Sequence, residues 1–119
     1  LRGNAPRAAG LATMDLNVDP NYEPAIRLRG VAYAQSGRYG KAIADLQPAF
    51  ERAKNLVTIS SVLADCYSWL GRYKDALRPA IYAVAFGTAY DVETAPTVEK
   101  LVRVMSRLPK SYVEEVVAR

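Results

Sequence analysis

The triplet Gly-Arg-Tyr occurs twice in this chain, at residues 37–39 and 71–73, and the interval of 34 residues between the copies brings other matches with it. Six further pairs with identical or similar side chains keep the interval: Gly30 and Ala64, Tyr33 and Tyr67, Ala42 and Ala76, Ile43 and Leu77, Ala49 and Ala83, and Phe50 and Val84. Because so many positions share one register, the sequence predicts an array of one repeated unit.

The repeated residue types fit two helices in close contact. Small residues such as Gly30 and Ala42 let helices approach closely, and Tyr33 can fill the space beside them while its hydroxyl stays near water. Gly37 predicts the turn between the helices, since glycine adopts positive φ at little cost. Apolar residues at helical spacing are expected to form the core: Leu28, Ile43, Leu46, Phe50, Leu63, Leu77 and Ile81.

This period of 34 residues, with small residues at the helix contact and an aromatic residue a few positions on, resembles the tetratricopeptide repeat, a helix-turn-helix unit. The resemblance implies an all-α fold, a right-handed superhelical array of antiparallel helix pairs with about seven helices. Complete units are expected at residues 23–54 and 56–87, and a degenerate terminal pair at 97–119. Gly71 and Gly87 are expected to end helices of the second unit.

Residues 1–19 resemble the second helix of a unit whose first helix is missing. Gly3 and Ala8 keep the register of the later units, and Asp19-Pro20-Asn21 looks like the exit of this repeat. We therefore expect a segment of a longer protein, with a native capping helix as the alternative. The face of this helix with Ala8, Leu11, Ala12 and Leu16 is expected to pack on the first full unit. It is also expected to leave an apolar strip for another copy of the chain or for upstream sequence.

The sequence also predicts how the last two helices begin and where two helices contain a proline. Thr94 or Thr97 is expected to cap the sixth helix, and Ser111 with Glu114 has the spacing of a capping box for the seventh. Pro48 and Pro79 fall inside second helices, where proline costs about 3 kcal/mol unless the helix bends. A tolerated bend is the main interpretation and a partner-binding notch is the alternative.

First helices line the concave side in this family, so the resemblance also implies where a partner binds. By register, the groove positions are Pro24, Arg27, Val31, Ala34 and Gln35 of the first full unit and Thr58, Ser61, Asp65, Ser68 and Trp69 of the second. The candidate partner-binding residues among them are Arg27, Val31, Gln35, Ser61, Asp65, Ser68 and Trp69.

These side chains offer mixed chemistry. Arg27 could hold a carboxylate, Asp65 could take a basic group or a peptide amide, and Trp69 is the kind of apolar anchor enriched in binding hot spots. Ordinary solvated charges are the alternative for Arg27 and Asp65. Packing against the following unit is the alternative for Trp69.

The expected function is a non-enzymatic protein–protein interaction scaffold that binds a peptide or partner helix in its concave groove. Val31 and Val62 stand where the family's carboxylate clamp would have asparagines, which argues against that clamp. A secretion-type or assembly chaperone remains an alternative. One cysteine and no disulfide requirement slightly favour the cytoplasm and leave the periplasm open.

Composition narrows the other function classes. The chain has no histidine, and Cys66 therefore has no imidazole to activate it, while no carboxylates stand at the spacing of an acid/base couple. No metal or cofactor is expected, and no apolar stretch reaches the roughly 20 residues of a membrane span. The net charge of +4 suggests nucleic-acid binding as a hypothesis. However, the sequence has no run of basic residues interleaved with exposed aromatics, which such binding would favour. Nucleic-acid binding and a regulatory segment of a larger enzyme stay as alternatives.

Overall fold

The computed structural model describes residues 4–89 and 95–118 of the chain. These residues form helices and no strand: α1 (Asn4–Val18), α2 (Glu23–Gln35), α3 (Tyr39–Arg52), α4 (Val57–Trp69), α5 (Tyr73–Ala89), α6 (Ala95–Ser106) and α7 (Lys110–Ala118). The all-α class and the seven helices predicted from the sequence are confirmed.

The helices pack as neighbours along the chain. Each helix from α1 to α5 contacts the next one in the chain. In addition, α4 contacts both α2 and α6. The described residues extend over 45 × 27 × 23 Å, so the body is elongated. Packing of this kind is typical of stacked helical repeats, in which each unit contacts only its neighbours.

The repeated Gly-Arg-Tyr triplet has one structural role in both copies. Gly37 and Gly71 have φ of 78° and 73°, in the left-handed region that favours glycine. The N–H of Gly37 donates to the carbonyl of Ala34, and the N–H of Arg38 donates to that of Tyr33 at 2.8 Å. Gly71 and Arg72 make the equivalent bonds in the second unit. This is the Schellman motif, which ends one helix and lets the tyrosine begin the next.

The close helix contact predicted at Gly30 is also present. A Cβ atom at this position would lie 2.6 Å from Cγ of Leu46, a fully buried side chain on α3. The equivalent residue of the second unit, Ala64, is buried as well. At this helix contact the second unit therefore has room for a single methyl group, and the first unit has room for none.

One main core runs from α3 to α7, and a smaller one joins α1 to α2. Leu46, Phe50, Leu63 and Leu77 are fully buried, and Ile43 and Ile81 pack against them from partly exposed positions. The prediction for Leu28 was wrong, since its side chain is 50% exposed and lies on the surface of α2. Leu28 has the helical spacing of a core residue, but its side chain lines a surface cavity instead. Spacing alone does not separate these two positions.

The buried face of α1 differs in part from the predicted one. Ala12 and Leu16 are buried as expected, but Leu11 is 56% exposed. The buried stripe is Ala5, Ala9, Ala12 and Leu16. These residues are spaced four, three and four apart, which places them on one face, whereas Leu11 points to the opposite side of the helix.

Two predicted helix boundaries, at Gly87 and at Ser111, were wrong. α5 continues through Gly87 to Ala89, because a glycine inside a helix costs only about 1 kcal/mol. Thr97 lies inside α6 rather than before it, and Thr94 lies outside the described residues. Ser111 is likewise inside α7, whose first helical hydrogen bond runs from the N–H of Val113 to the carbonyl of Pro109.

The two prolines and α7 complete the architecture. Pro48 is exposed on α3 and Pro79 is buried in α5, and both helices continue past them. α7 lies against α5, with Nζ of Lys74 at 5.1 Å from the ring centroid of Tyr112. Val113 adds its side chain to the main core.

Candidate partner-binding surface

The first helices α2, α4 and α6 lie side by side and form one surface, which we call the first-helix face. Two cavities open along it. The α2–α4 cavity measures about 620 Å³ and the α4–α6 cavity about 340 Å³. Five of the seven candidate partner-binding residues line one cavity or the other: Arg27, Val31, Asp65, Ser68 and Trp69.

The α2–α4 cavity is mostly apolar. Its walls come from α2 and from the first turns of α4, with the half-exposed Leu28 among them. The full lining is Arg27, Leu28, Val31, Asn55, Leu56, Val57, Thr58 and Ile59. Thr58 was assigned to the groove by register, but Asn55, Leu56 and Val57, at the start of α4, were not. Their positions depend on where α4 begins, which the repeat pattern alone does not fix.

Arg27 supplies the formal charge in this lining, and its ion pairing is loose. Nη1 of Arg27 lies 3.8 Å from Oε2 of Glu23, one helical turn earlier. The other oxygen of Glu23 is only 2.6 Å from Nε of Arg52 on α3. Two guanidinium groups therefore share one carboxylate, and this end of the first-helix face carries a local positive charge.

The α4–α6 cavity brings together Asp65, Ser68 and Trp69 at the end of α4. Trp69 is 72% exposed, and one face of its indole stacks on Tyr39 with ring centroids 6.0 Å apart and planes 2° apart. Tyr39 begins α3 of the preceding unit. Trp69 is therefore not buried against the following unit, and its outer surface faces the solvent.

Lys100 on α6 changes the role expected for two of the groove residues. Its Nζ donates to Oγ of Ser61 at 2.7 Å and to Oδ2 of Asp65 at 2.8 Å. The carboxylate of Asp65 is thus already paired within the chain. Ser61 and Asp65 join α4 to α6 in this structure.

Lys100 and Arg103 were missed in the sequence because the third unit lacks the glycine turn. The register nevertheless extends to them, since Arg103 stands 34 residues after Trp69. Arg103 lines the α4–α6 cavity and makes no ion pair within the described residues. Gln35, the residue 34 positions before Trp69, is exposed at the end of α2 and lines neither of the two cavities.

An ion pair between Arg29 of α2 and Asp45 of α3 lies outside the linings of the two cavities. Arg29 donates two hydrogen bonds to the carboxylate of Asp45, at 2.7 and 2.8 Å, and this bonding raises the pKa of the guanidinium. The same register positions in the second unit hold Leu63 and Pro79, both buried. The ion pair therefore occupies a space that the next unit fills with apolar side chains.

Cys66 is a poor nucleophile in this fold. It is fully buried, and burial raises the pKa of its thiol to about 11, with the nearby Asp65 adding to the shift. At neutral pH the side chain is a protonated thiol inside the core. Within residues 4–89 and 95–118, no group of three histidine, cysteine or carboxylate side chains is arranged to hold a metal ion.

In the part of the chain that the structure describes, no helix is both long and apolar enough to cross a membrane. No protein-family model matches the sequence, and no curated protein sequence matches it.

Proposed function

We propose that this chain is a tetratricopeptide-like interaction scaffold, without enzymatic activity of its own, which binds a peptide or partner helix along the first-helix face. The observation that supports the proposal most is the pair of cavities that open on this face at successive helix junctions. A single extended segment crossing α2, α4 and α6 would meet both.

The chemistry of the two cavities suits side chains of a peptide. The first cavity offers an apolar pocket with one arginine at its edge, and the second offers the exposed indole of Trp69 beside Ser68 and Arg103. Apolar pockets with few polar groups are the usual form of binding sites, and tryptophan and arginine are over-represented among binding hot spots. The scaffold would thus read a partner through two anchor points.

Amide-shift mapping of bound peptides tests this function. Peptides selected from a synthetic array by the purified chain are titrated into the isotope-labelled protein. We expect saturable shifts at residues 27–31, 55–58 and 65–69. Binding footprints confined to α3 and α5, around Pro48 and Pro79, would contradict the assignment.

A second proposal concerns self-association through α1. Leu11, Met14 and Val18 form an exposed apolar stripe, 56%, 64% and 89% accessible, on the side of α1 opposite its buried face. Arg7 and Asp15 flank the stripe. In an antiparallel contact of two copies, each arginine would come within reach of the other copy's aspartate. Charge complementarity thus favours a second copy as the occupant.

A further inference from the structure

We propose that the α2–α4 cavity accepts an apolar side chain of an acidic partner segment and that Arg27 binds a carboxylate next to that side chain. The inference rests on the proposed function and names the class of partner for one part of the first-helix face. It is carried by the shape, the lining and the charge of this cavity.

The size and walls of the cavity fit an apolar group. Its volume of about 620 Å³ lies within the range of roughly 300 to 1,000 Å³ typical of ligand pockets. Leu28 is half exposed, and Val31, Leu56 and Val57 extend the apolar wall around it. Covering these side chains removes apolar surface from water, which favours binding of a large aliphatic or aromatic side chain.

The positive charge at the cavity favours an acidic residue next to that apolar side chain in the partner. Glu23 is 2.6 Å from Arg52 but 3.8 Å from Arg27, so the guanidinium of Arg27 is only weakly satisfied. Arg27 keeps a third of its side-chain surface accessible. Because a guanidinium can bind a carboxylate through two parallel hydrogen bonds, an aspartate or glutamate of the partner would complete its pairing.

The polar groups at the cavity favour a peptide over a fatty acid. Asn55 and Thr58 line it, and an amide or hydroxyl side chain can both donate and accept hydrogen bonds. A peptide backbone requires such groups, whereas a fatty-acid chain does not. Farther along the same face, Arg103 has no ion pair within the described residues, so an acidic segment would meet a second cation there.

The cation of the neighbouring cavity provides a useful contrast. Lys100 is already neutralised by Asp65, with Ser61 as a further partner. Arg27 lacks such a close internal partner, and this makes it the residue to test. Arg103 is the comparison position that distinguishes the two cavities, because it is an arginine on the same face but lines the other cavity.

The test uses a short labelled peptide of alternating leucine and glutamate, with a leucine–lysine peptide and decanoate as comparison ligands. Binding to the full chain is measured by fluorescence anisotropy and mapped by amide shifts. We expect Arg27→Gln to weaken the leucine–glutamate peptide by about tenfold, as loss of a charge-assisted hydrogen bond implies. Arg27→Lys should restore part of the affinity, and Arg103→Gln should have a smaller effect. Superimposable thermal melts confirm that the variants fold.

Each other outcome has a defined meaning. If Arg27→Gln leaves the affinity unchanged while Arg103→Gln lowers it, or if shifts appear only around Trp69, the inference is overturned and the proposed function stands. Decanoate that binds as tightly and displaces the peptide would overturn the peptide occupant. If the leucine–glutamate peptide fails while other array peptides shift the first-helix face, the acidic partner class is wrong. If no peptide shifts that face, both proposals fail.

Discussion

Trp69 stacks on Tyr39 with the two ring planes only 2° apart, although Tyr39 begins α3 and Trp69 ends α4 of the next unit. One period later the same register positions hold Tyr73 and Arg103, and both line the α4–α6 cavity. The ends of α4 and α6 thus each lie near the tyrosine that starts the preceding second helix. This junction repeats, but its outer residue changes from tryptophan to arginine, so the two junctions present different chemistry to a partner.

Gly30 and Gly10 allow a matched test of the helix contact. Gly30→Ala places a methyl group 2.6 Å from the buried Leu46, so we expect destabilisation of about 1–3 kcal/mol from overpacking. Gly10 lies in α1 with nothing within 4 Å of its Cβ position, and Gly10→Ala should stabilise by about 0.5–1 kcal/mol. Chemical denaturation measures both. Equal effects of the two substitutions would contradict the close approach of α2 and α3.

The sequence predicts the turns and the close helix contacts well, because they depend on single residues. It predicts the helix ends less well, because they depend on more than one residue. Gly37 at the turn and Gly30 at the contact follow from steric demands that glycine alone meets at those positions. Gly87 shows the limit, because a single glycine does not stop a helix whose flanking residues favour it. The end of α5 therefore depends on the helix as a whole.

The sequence predicted several residues of the candidate surface, but it did not predict which of them bind one another. The register identified Arg27, Val31 and Trp69 as surface positions, and each lines a cavity. It did not reveal that Lys100 would bind Asp65, 35 residues earlier in the chain. That contact depends on how α6 is placed against α4, and the degenerate third unit obscured this placement.

Lys100 is expected to hold α6 onto α4. Lys100→Met removes its hydrogen bonds to Ser61 and Asp65 while keeping a long apolar side chain. Hydrogen exchange measured by mass spectrometry should then become faster in residues 95–106 than in the wild type. Lys110→Met is the control, because the side chain of Lys110 is 92% exposed. Its nearest carboxylate oxygen, on Glu114, is 3.9 Å away, which is too far for a hydrogen bond. Unchanged exchange in α6 would show that the bridge does not hold this helix.

Alkaline pH should destabilise the fold in part through Cys66. The thiol has a pKa of about 11 when folded, against an ordinary value of 9.0, so the unfolded chain loses this proton first. Stability is therefore present below pH 9 and declines as the pH rises toward 11. Burial also raises the pKa of Tyr67, which adds a loss of the same sign. Thermal melts across this range should fall less steeply for Cys66→Ala, and equal slopes would contradict the assigned shift.

The exposed stripe on α1 predicts concentration-dependent association. Met14→Glu places a charge among Leu11 and Val18, and sedimentation equilibrium should shift toward the monomer. Ala44→Glu adds the same charge at an exposed position of α3 and should leave association unchanged. A wild-type chain that stays monomeric at high concentration would remove the proposed α1 contact.

Trp69 tests the central claim most directly, since it is the only tryptophan of the chain and lies on the first-helix face. The measurement compares wild type and Trp69→Ala in two quantities, the affinity for an array-selected peptide and the free energy of unfolding. We predict an affinity loss of about 2 kcal/mol or more, as for a binding hot spot. The stability loss should be only about 0.5–1.5 kcal/mol, the contribution of one aromatic pair. Equal losses in affinity and stability, or an unchanged affinity, would contradict the account.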